Sequence, residues 1–287
     1  MSQSSPQPVE PPAFDLSAPP AFGQRRFGAV NWLGLHTLYQ KEVRRFLKVA
    51  FQTVFAPVIS TILFLIVFMQ AFGRAGTFIN DVPYIEFLAP GLIMLAILTN
   101  SFANSSSSLI IGKVQGSIVD VLMPPLSAAE LTVAFVAGAA TRGLLVGLVT
   151  AVTSAAFMYF SETPMSLAVG WAALYFGLAA ALIFSMLGVI GGIWAEKFDQ
   201  LAALTNFVIT PLTFLSGTFY AIGGLPEPFL TISKFNPVFY LIDGFRYGFT
   251  GVAEASIAIG VLMTMVLIVG LAIACYRLIK SGYKLKD

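Results

Sequence analysis

The few polar side chains that could do chemistry in this sequence stand mostly inside apolar runs. Asn100, Asn104 and Ser108 recur at i, i+4 and i+8, so a helix would place all three on one face. Such a face could line a path for a solute, but small polar residues also hold membrane helices together. The sequence leaves both interpretations open, a pathway or helix packing.

Other chemistry is largely excluded. No GxxxxGK[ST] loop is present, so the chain does not bind ATP in the P-loop manner. His36 is the only histidine and completes neither a metal site nor a catalytic triad. Cys275, the single cysteine, lies in an apolar run. We therefore predict no catalytic residue, no metal site and no cofactor bound by this chain.

Composition places the protein in a membrane. Of its 287 residues, 57% are hydrophobic and only 10% are charged, and the mean hydropathy is +0.84. Soluble domains carry roughly 25% charged residues. The net charge of +2 gives no indication of nucleic-acid binding. An all-α integral membrane protein follows, because an unpaired backbone is not tolerated in lipid.

Six apolar runs approach the roughly 20 residues that a helix needs to cross the hydrocarbon. They predict a transmembrane domain over residues 50–276. Its six spans are 50–72, 87–111, 143–160, 167–194, 201–222 and 256–276.

The segments before the first span are of two kinds. Residues 1–30 are rich in proline, which predicts a disordered tail. Residues 31–49 have apolar side chains at helical spacing, with charged residues such as Glu42, Arg44 and Arg45 on the other faces. This pattern predicts an amphipathic helix along the membrane surface, as an anchor and also as a possible contact for a partner.

The connection over residues 112–142 is too long and too polar for a simple link between spans. It reads GKVQGSIVDVLMPPLSAAELTVAFVAGAATR and indicates a docking surface. A third span that began at Leu131 would bury Arg142 near mid-membrane, at a cost of several kcal/mol. We therefore start that span at Gly143 and place Arg142 at the interface.

Basic residues predict the orientation. If both termini lie in the cytoplasm, only three of the 16 Lys and Arg residues lie on the outer side of the membrane: Arg74, Lys234 and Arg246. This distribution is the one that the positive-inside rule requires. The connection over 112–142 and the basic tail over 277–287 would then be cytoplasmic.

The outer connection over residues 223–255 is unusually aromatic and is broken by prolines. It predicts a re-entrant helical pair that packs against the fifth and sixth spans, because irregular backbone at depth must be covered by protein or water. Its aromatic side chains would suit sugar rings or lipid tails, or form an interfacial belt. Three small-xxx-small pairs permit close helix contacts within a subunit or across a dimer: Gly143/Gly147, Gly188/Gly192 and Gly244/Gly248.

Four sequence features together resemble the permease subunits of bacterial type-2 ABC exporters. They are the basic amphipathic helix, Ala89-Pro90-Gly91, Val121-Leu122-Met123-Pro124, and the segment from Pro211 to Tyr220 followed by Asn236-Pro237-Val238-Phe239-Tyr240 and Asp243-Gly244-Phe245-Arg246. The likeness covers roughly Trp32 to Tyr276. Many relatives carry a glutamate where this chain has Asp120, a departure that keeps the charge.

The resemblance implies a subunit that dimerises, with a second copy as the expected partner (a homodimer) and a different permease as the alternative. It also implies that the subunit binds a separate ABC ATPase, which would hold ATP and Mg. It implies a coupling element of Val119, Asp120, Val121, Leu122, Met123, Pro124 and Pro125. It implies an outer hairpin containing Asn236, Pro237, Tyr240, Asp243 and Arg246. The implied activity is ATP-driven export of an amphiphilic, glycan or drug-like substrate across the bacterial inner membrane.

Two other functions compete with export. A secondary transporter would need carboxylates or a histidine inside the spans, and none is predicted there. A non-transporting assembly subunit would explain the spans and the docking connection, but not the aromatic outer hairpin.

Overall fold

The computed structural model describes residues 28, 30–72, 78–79 and 81–285. Most of the predicted tail over 1–30 and the last two residues of the predicted tail over 277–287 lie outside the described residues. The described chain is predominantly α-helical, which confirms the predicted all-α fold class.

The helices follow the predicted order. Those of the first half are α1 (Trp32–Leu47), α2 (Ala56–Phe72, preceded by a π-helical turn, Phe51–Phe55), α3 (Tyr84–Val114), α4 (Ile118–Leu122) and α5 (Ala128–Phe160). Those of the second half are α6 (Gly170–Trp194), α7 (Phe198–Leu204), α8 (Thr210–Phe214), α9 (Phe229–Phe235), α10 (Pro237–Thr250) and α11 (Ile257–Ser281). A second π-helical turn (Thr205–Ile209) joins α7 to α8, and a 3₁₀ turn (Ile222–Gly224) precedes α9. Two short antiparallel strands, β1 (Phe78–Ile79) and β2 (Val82–Pro83), precede α3.

The core lies where α3 and α6 pack side by side. Ile97, Phe102, Phe176 and Phe184 are among its buried side chains, and Phe245 of α10 joins them. α5 covers one side of the pair, and α10 and α11 pack against α6. α3 and α6 are therefore the central helices on which the other elements rest.

Glycines set the distance between these helices. A Cβ added at either residue of the pair in α5, Gly143 and Gly147, would lie within 2.3 Å of a side chain of α3. For the pair in α6, Gly188 and Gly192, an added Cβ would lie within 2.9 Å of an α3 side chain, and the pair in α10 faces α6. All three predicted small-xxx-small pairs therefore serve contacts within one subunit.

Five helices are long and apolar enough to cross a membrane, within the part of the chain that the structure describes. They are Phe51–Phe72, Tyr84–Val114, Ala128–Phe160, Gly170–Trp194 and Ile257–Ser281. The fifth predicted span, 201–222, is not among them. Its helical run begins at Phe198 and ends at Phe214, because the chain turns at Gly217, whose φ is +75°.

The third predicted span also differs from the structure. No helix boundary occurs at Gly143, since α5 runs without interruption from Ala128 to Phe160. Arg142 therefore lies inside a long helix and does not mark its start. The connection between α3 and α5 therefore comprises only residues 115–127, fewer than the predicted 112–142, and α4 is the one helix within it.

The predicted outer pair consists of α9 and α10, which meet at Asn236 and Pro237. α10 packs mainly against α6, α3 and α11, deeper in the bundle than a contact with the fifth and sixth spans alone would place it. We call this region the hairpin end of the molecule. The other end, where Lys113, Lys197 and Lys284 lie, is the basic end.

Candidate functional site

A cleft of about 530 Å³ opens at the basic end between α1 and the connection over 115–127. One wall is the first half of α1, from Leu33 to Lys41. The other wall contains Asp120, Val121, Pro124 and Pro125. The cleft thus brings the predicted interfacial helix and the predicted coupling residues to one surface.

Asn31 holds the two walls together. Its side-chain oxygen accepts a hydrogen bond from the Gly34 amide at 2.9 Å and so caps α1, while its Nδ2 donates to the Pro125 carbonyl at 3.2 Å. Its backbone N–H donates to the carboxylate of Glu130 in α5. Three elements therefore meet at one asparagine, which the sequence analysis did not single out.

The start of α5 is fixed by a capping box. Ser127 Oγ accepts from the Glu130 amide at 3.3 Å, and the Glu130 carboxylate accepts from the Ser127 amide at 2.6 Å. Ser-x-x-Glu before an apolar run is a recognisable signal for a helix start. It could have predicted that α5 begins here.

The seven predicted coupling residues divide by exposure. Met123 is 77% exposed and Val119 54% exposed, and Asp120, Pro124 and Pro125 are exposed as well. Val121 is buried and Leu122 half-buried; Val121 belongs to an apolar cluster with Ile118 and Leu131, and Leu122 packs against it. The element thus presents apolar side chains outward while its other side is anchored in the bundle, as a protein-docking surface requires.

A buried polar seam connects α1 to α3. Glu42 is completely buried, accepts from Ser108 Oγ at 2.8 Å and pairs with Arg45 at 3.3 Å. Arg45 in turn donates to the Asn104 side chain at 3.0 Å and to its carbonyl at 2.6 Å. Arg44, beside them in sequence, is exposed.

The burial of Glu42 differs from the predicted position on a solvated face of α1. Gly138 of α5 explains the difference, since an added Cβ there would lie 2.6 Å from the Cβ of Glu42. The absence of a side chain at Gly138 lets α1 approach α5 closely. α1 is consequently packed into the bundle through Glu42 as well as through the apolar side chains of Leu38 and Phe46.

Asn100 completes the seam further along α3. Its Oδ1 accepts from Arg142 Nη2 at 3.2 Å, and its Nδ2 donates to the Ala96 carbonyl at 3.0 Å. The three residues predicted on one face, Asn100, Asn104 and Ser108, thus each contact a charged side chain of α1 or α5. The structure explains how α5 accommodates Arg142, since a polar acceptor faces it.

At the hairpin end, Asn236 caps α10 by accepting from the Val238 amide at 3.0 Å. Its Nδ2 donates to the Leu212 carbonyl and to Ser216 Oγ, both at 2.8 Å. Pro237 occupies the first turn of α10, where no amide is needed. Asn236 and Pro237 thus bind the start of α10 to the end of α8.

Arg246 is buried between α10, α3 and the turn after α8. Its Nε donates to the Phe87 carbonyl at 3.1 Å, its Nη2 donates to the Gly217 carbonyl at 2.7 Å, and its guanidinium lies 3.6 Å from the Phe87 ring centroid. Nη1 lies 3.7 Å from the Glu254 carboxylate. Four contacts on three parts of the chain thus converge on one side chain.

Asp243 binds the loop after α10. Its carboxylate accepts from the Glu254 amide at 3.0 Å and from the Ala255 amide at 2.9 Å. Tyr240, half-buried, lines a cavity of about 660 Å³ beside this loop. Four of the predicted hairpin residues, Asn236, Pro237, Asp243 and Arg246, therefore cap or fasten α10, whereas Tyr240 lines this cavity.

A groove of about 330 Å³ lies between α2, α3 and α8. Residues that carry hydroxyl groups contribute to its lining, namely Ser60, Thr61, Thr99, Thr210 and Thr213, together with Phe64 and Phe214. The hydroxyls of Thr99 and Thr213 donate to backbone carbonyls of their own helices. This groove is not apparent from the sequence, because the residues that line it come from three helices. In the described ranges, no group of three His, Cys, Asp or Glu side chains is placed to hold a metal ion.

Comparison with known proteins identifies a family and several relatives of this chain. Residues 34–250 match the family model described as ABC-2 type transporter. The chain is 33% identical over 257 residues to the inner membrane transport permease YadH of Escherichia coli (strain K12), covering 89% of this chain and 98% of that protein. It is 25% identical over 249 residues to nodulation protein J of Rhizobium leguminosarum bv. viciae, covering 84% and 91% of the two chains. The apolar helices and these relatives make the protein a multi-pass inner membrane permease, and the chain belongs to the ABC-2 type transporter family.

Proposed function

We propose that this chain is the membrane subunit of an ATP-driven exporter and that its basic end faces the cytoplasm. A separate ABC ATPase would dock on the cleft and on the exposed residues of the connection over 115–127. The observation that carries the proposal is the pairing of exposed Val119 and Met123 with a cleft whose second wall is α1. Exposed apolar side chains beside such a cleft suit a protein partner.

The contacts around the cleft suggest how a partner's movement would reach the membrane. A displacement of α4 acts on α1 through the bond from Asn31 to the Pro125 carbonyl, and on α5 through the bond from Asn31 to Glu130. α1 is bound in turn to α3 through Glu42 and Ser108. Three helices would therefore move with the docked element, provided that nucleotide biases the two positions differently.

The hydroxyl-lined groove between α2, α3 and α8 suits the translocation path. Hydroxyl and aromatic side chains on one surface match an amphiphilic, glycan or drug-like substrate, which presents both polar and apolar groups. A second copy of the chain would close the open side of this groove. α9 and α10 would then close its outer exit, with Arg246 holding α10 on α3.

Glu42 favours one competing function. A carboxylate completely buried in the bundle is a feature that proton-driven transporters use. Its bonds to Ser108 and Arg45 also give it a packing role, which requires no proton movement. A gradient-driven transporter is therefore the second candidate, and it needs no ATPase.

Purification from the native membrane in mild detergent tests the proposal. We expect an ABC ATPase to co-purify and the preparation to hydrolyse ATP. Asp120→Lys combined with Met123→Asp should lower the bound ATPase at least tenfold, because a charge is reversed and an exposed apolar contact is lost. Lys234→Glu at the hairpin end is the control and should leave the bound ATPase unchanged.

Two results would contradict ATPase docking at this site. A preparation without ATPase, even after gentle cross-linking in membranes, would favour the gradient-driven transporter or an assembly subunit. If the permease with both Asp120→Lys and Met123→Asp retained all of its ATPase, the docking site would have to lie elsewhere.

A further inference from the structure

The last described residues, 282–285, form a hook at the basic end. Gly282 ends α11 with a φ of +68°, and Lys284 has a φ of +53°. The Leu285 amide closes the turn by donating to the Gly282 carbonyl at 3.0 Å. A lysine adopts this left-handed conformation only at an energetic cost, so contacts elsewhere must hold the hook.

The hook is bound to the end of α6. Lys284 Nζ lies 2.6 Å from the Glu196 carboxylate and donates to the Trp194 carbonyl at 3.3 Å. Lys113, at the end of α3, donates to the carbonyls of Ile193 at 2.7 Å and of Ala195. The ends of α3, α6 and α11 therefore meet at the turn over 193–196.

Leu285 links the hook to α4. It is only 6% exposed and belongs to the same apolar cluster as Ile118 and Val121. Leu285 and Ile118 also line one cavity of about 190 Å³. Ile118 is the first residue of α4, so the hook lies on the buried side of the element whose other side presents Val119 and Met123.

We propose that the hook positions α4: residues 282–285 brace the buried side of α4 against the end of α6, so that its exposed side keeps a fixed orientation. The purpose of this brace rests on the proposed function, because α4 needs a fixed orientation only if a partner binds it. The proximity of the hook to α4, with which it shares an apolar cluster and the lining of one cavity, does not depend on that function.

Leu285 contributes more to the brace than the ion pair does. Lys284 holds the pKa of the Glu196 carboxyl below its usual range, so the pair is charged at neutral pH. Glu196 is nevertheless largely exposed, and ion pairs at exposed positions contribute little. Burial of the leucine side chain is the larger effect.

Cysteine cross-linking tests the contact without any ATPase. Cys275, the single cysteine, is first replaced by Ala, and Ile118→Cys and Leu285→Cys are added. A protease site inserted in the connection over 161–169 separates the two cysteines. After treatment of membranes with a short thiol cross-linker and cleavage, we expect the halves to stay joined at least fivefold more often than with Ile118→Cys and Tyr283→Cys. Tyr283 is 49% exposed and is the matched control. Equal joining in both pairs would overturn the proposed brace.

Retention of the ATPase tests the consequence. Leu285→Ala should lower the ATPase bound per permease at least threefold, whereas Tyr283→Ala should change it less than 1.5-fold. Glu196→Gln should have a smaller effect than Leu285→Ala. Equal retention by the Leu285 and Tyr283 variants would overturn the positioning role. If the unsubstituted protein binds no ATPase, the proposed function fails, and the cross-link alone decides whether the hook braces α4.

Discussion

Arg246 shows how a single residue joins distant parts of this chain. Its guanidinium donates to carbonyls of α3 and of the turn after α8, two segments that are distant from Arg246 in the sequence. A buried guanidinium is costly unless it is paired and hydrogen-bonded. Here two backbone carbonyls accept hydrogen bonds from it, and the Glu254 carboxylate lies 3.7 Å away as a counter-charge. Lysine is a poor replacement, since its three donors lie on one nitrogen, whereas Arg246 reaches the two carbonyls through the separate nitrogens Nε and Nη2.

We predict that Arg246→Lys lowers the free energy of unfolding in detergent by about 2–4 kcal/mol, because hydrogen bonds to a buried charge are lost. Thermal unfolding of the purified permease measures the change. Lys234→Met removes an exposed cation from the neighbouring helix α9 and should change stability by less than about 0.5 kcal/mol. Similar effects of the two substitutions would show that Arg246 is not a structural centre.

The polar seam between α1 and α3 shows what could not be predicted from the sequence. The i, i+4, i+8 spacing of Asn100, Asn104 and Ser108 predicted their common face, but not their partners. A glutamate and an arginine on an amphipathic helix are normally solvated, and the glycine that admits Glu42 lies on another helix, far along the chain. Their roles in coupling and in a pathway stay predictions.

At the scale of elements, apolar runs predicted where most helices occur because length and hydropathy are local properties. Two boundaries could not be predicted in this way. Arg142 indicated a helix start, but Asn100 of another helix accepts its hydrogen bond and α5 continues through it. The run over 201–222 is apolar to its end, yet the turn at Gly217, whose carbonyl accepts from Arg246, ends the helix at Phe214.

Close contact between α1 and α5 leads to a second prediction. Gly138→Ala places a methyl group 2.6 Å from the Cβ of Glu42, so α1 must shift. We expect a loss of about 1–3 kcal/mol in stability from this overpacking. Gly270→Ala, in α11, is the matched control because nothing lies within 4 Å of its added Cβ. Unfolding of both variants in the same detergent measures the difference, and equal stability would show that α1 does not rest on α5 through this residue.

At the scale of the whole molecule, two long helices are exposed but differ in character. Only 11% of the most apolar window is buried in each of the helices Phe51–Phe72 and Ile257–Ser281. That window of the first helix is the less apolar of the two, and Ser60 and Thr61 of this helix help to line the groove between α2, α3 and α8. The corresponding window of the second helix is more apolar, and its Thr264 is completely buried. Lipid suits the face of α11, and a second copy of the chain suits the face of α2 and α8.

This difference predicts where two copies meet. With Cys275 replaced by Ala, Phe207→Cys, beside α8 and 81% exposed, should cross-link two permeases in native membranes. Leu262→Cys on α11 is exposed as well and should give at least fivefold less dimer. The ratio of dimer to monomer on a denaturing gel measures both. A reversed ratio would place the interface of the proposed homodimer on α11.

Asn31 has a practical consequence for anyone who handles this protein. Because Asn31 lines the cleft and is bonded to Pro125, a tag that replaced the preceding residues and was joined directly to Asn31 would begin at that cleft. A fluorescent protein or an affinity tag fused there would begin beside the surface on which a partner is expected to sit. A fusion after Asp287 would instead be separated from residues 282–285 by only two residues in the sequence. A label inserted between α5 and α6, in the connection over 161–169, would leave both ends of the chain unencumbered.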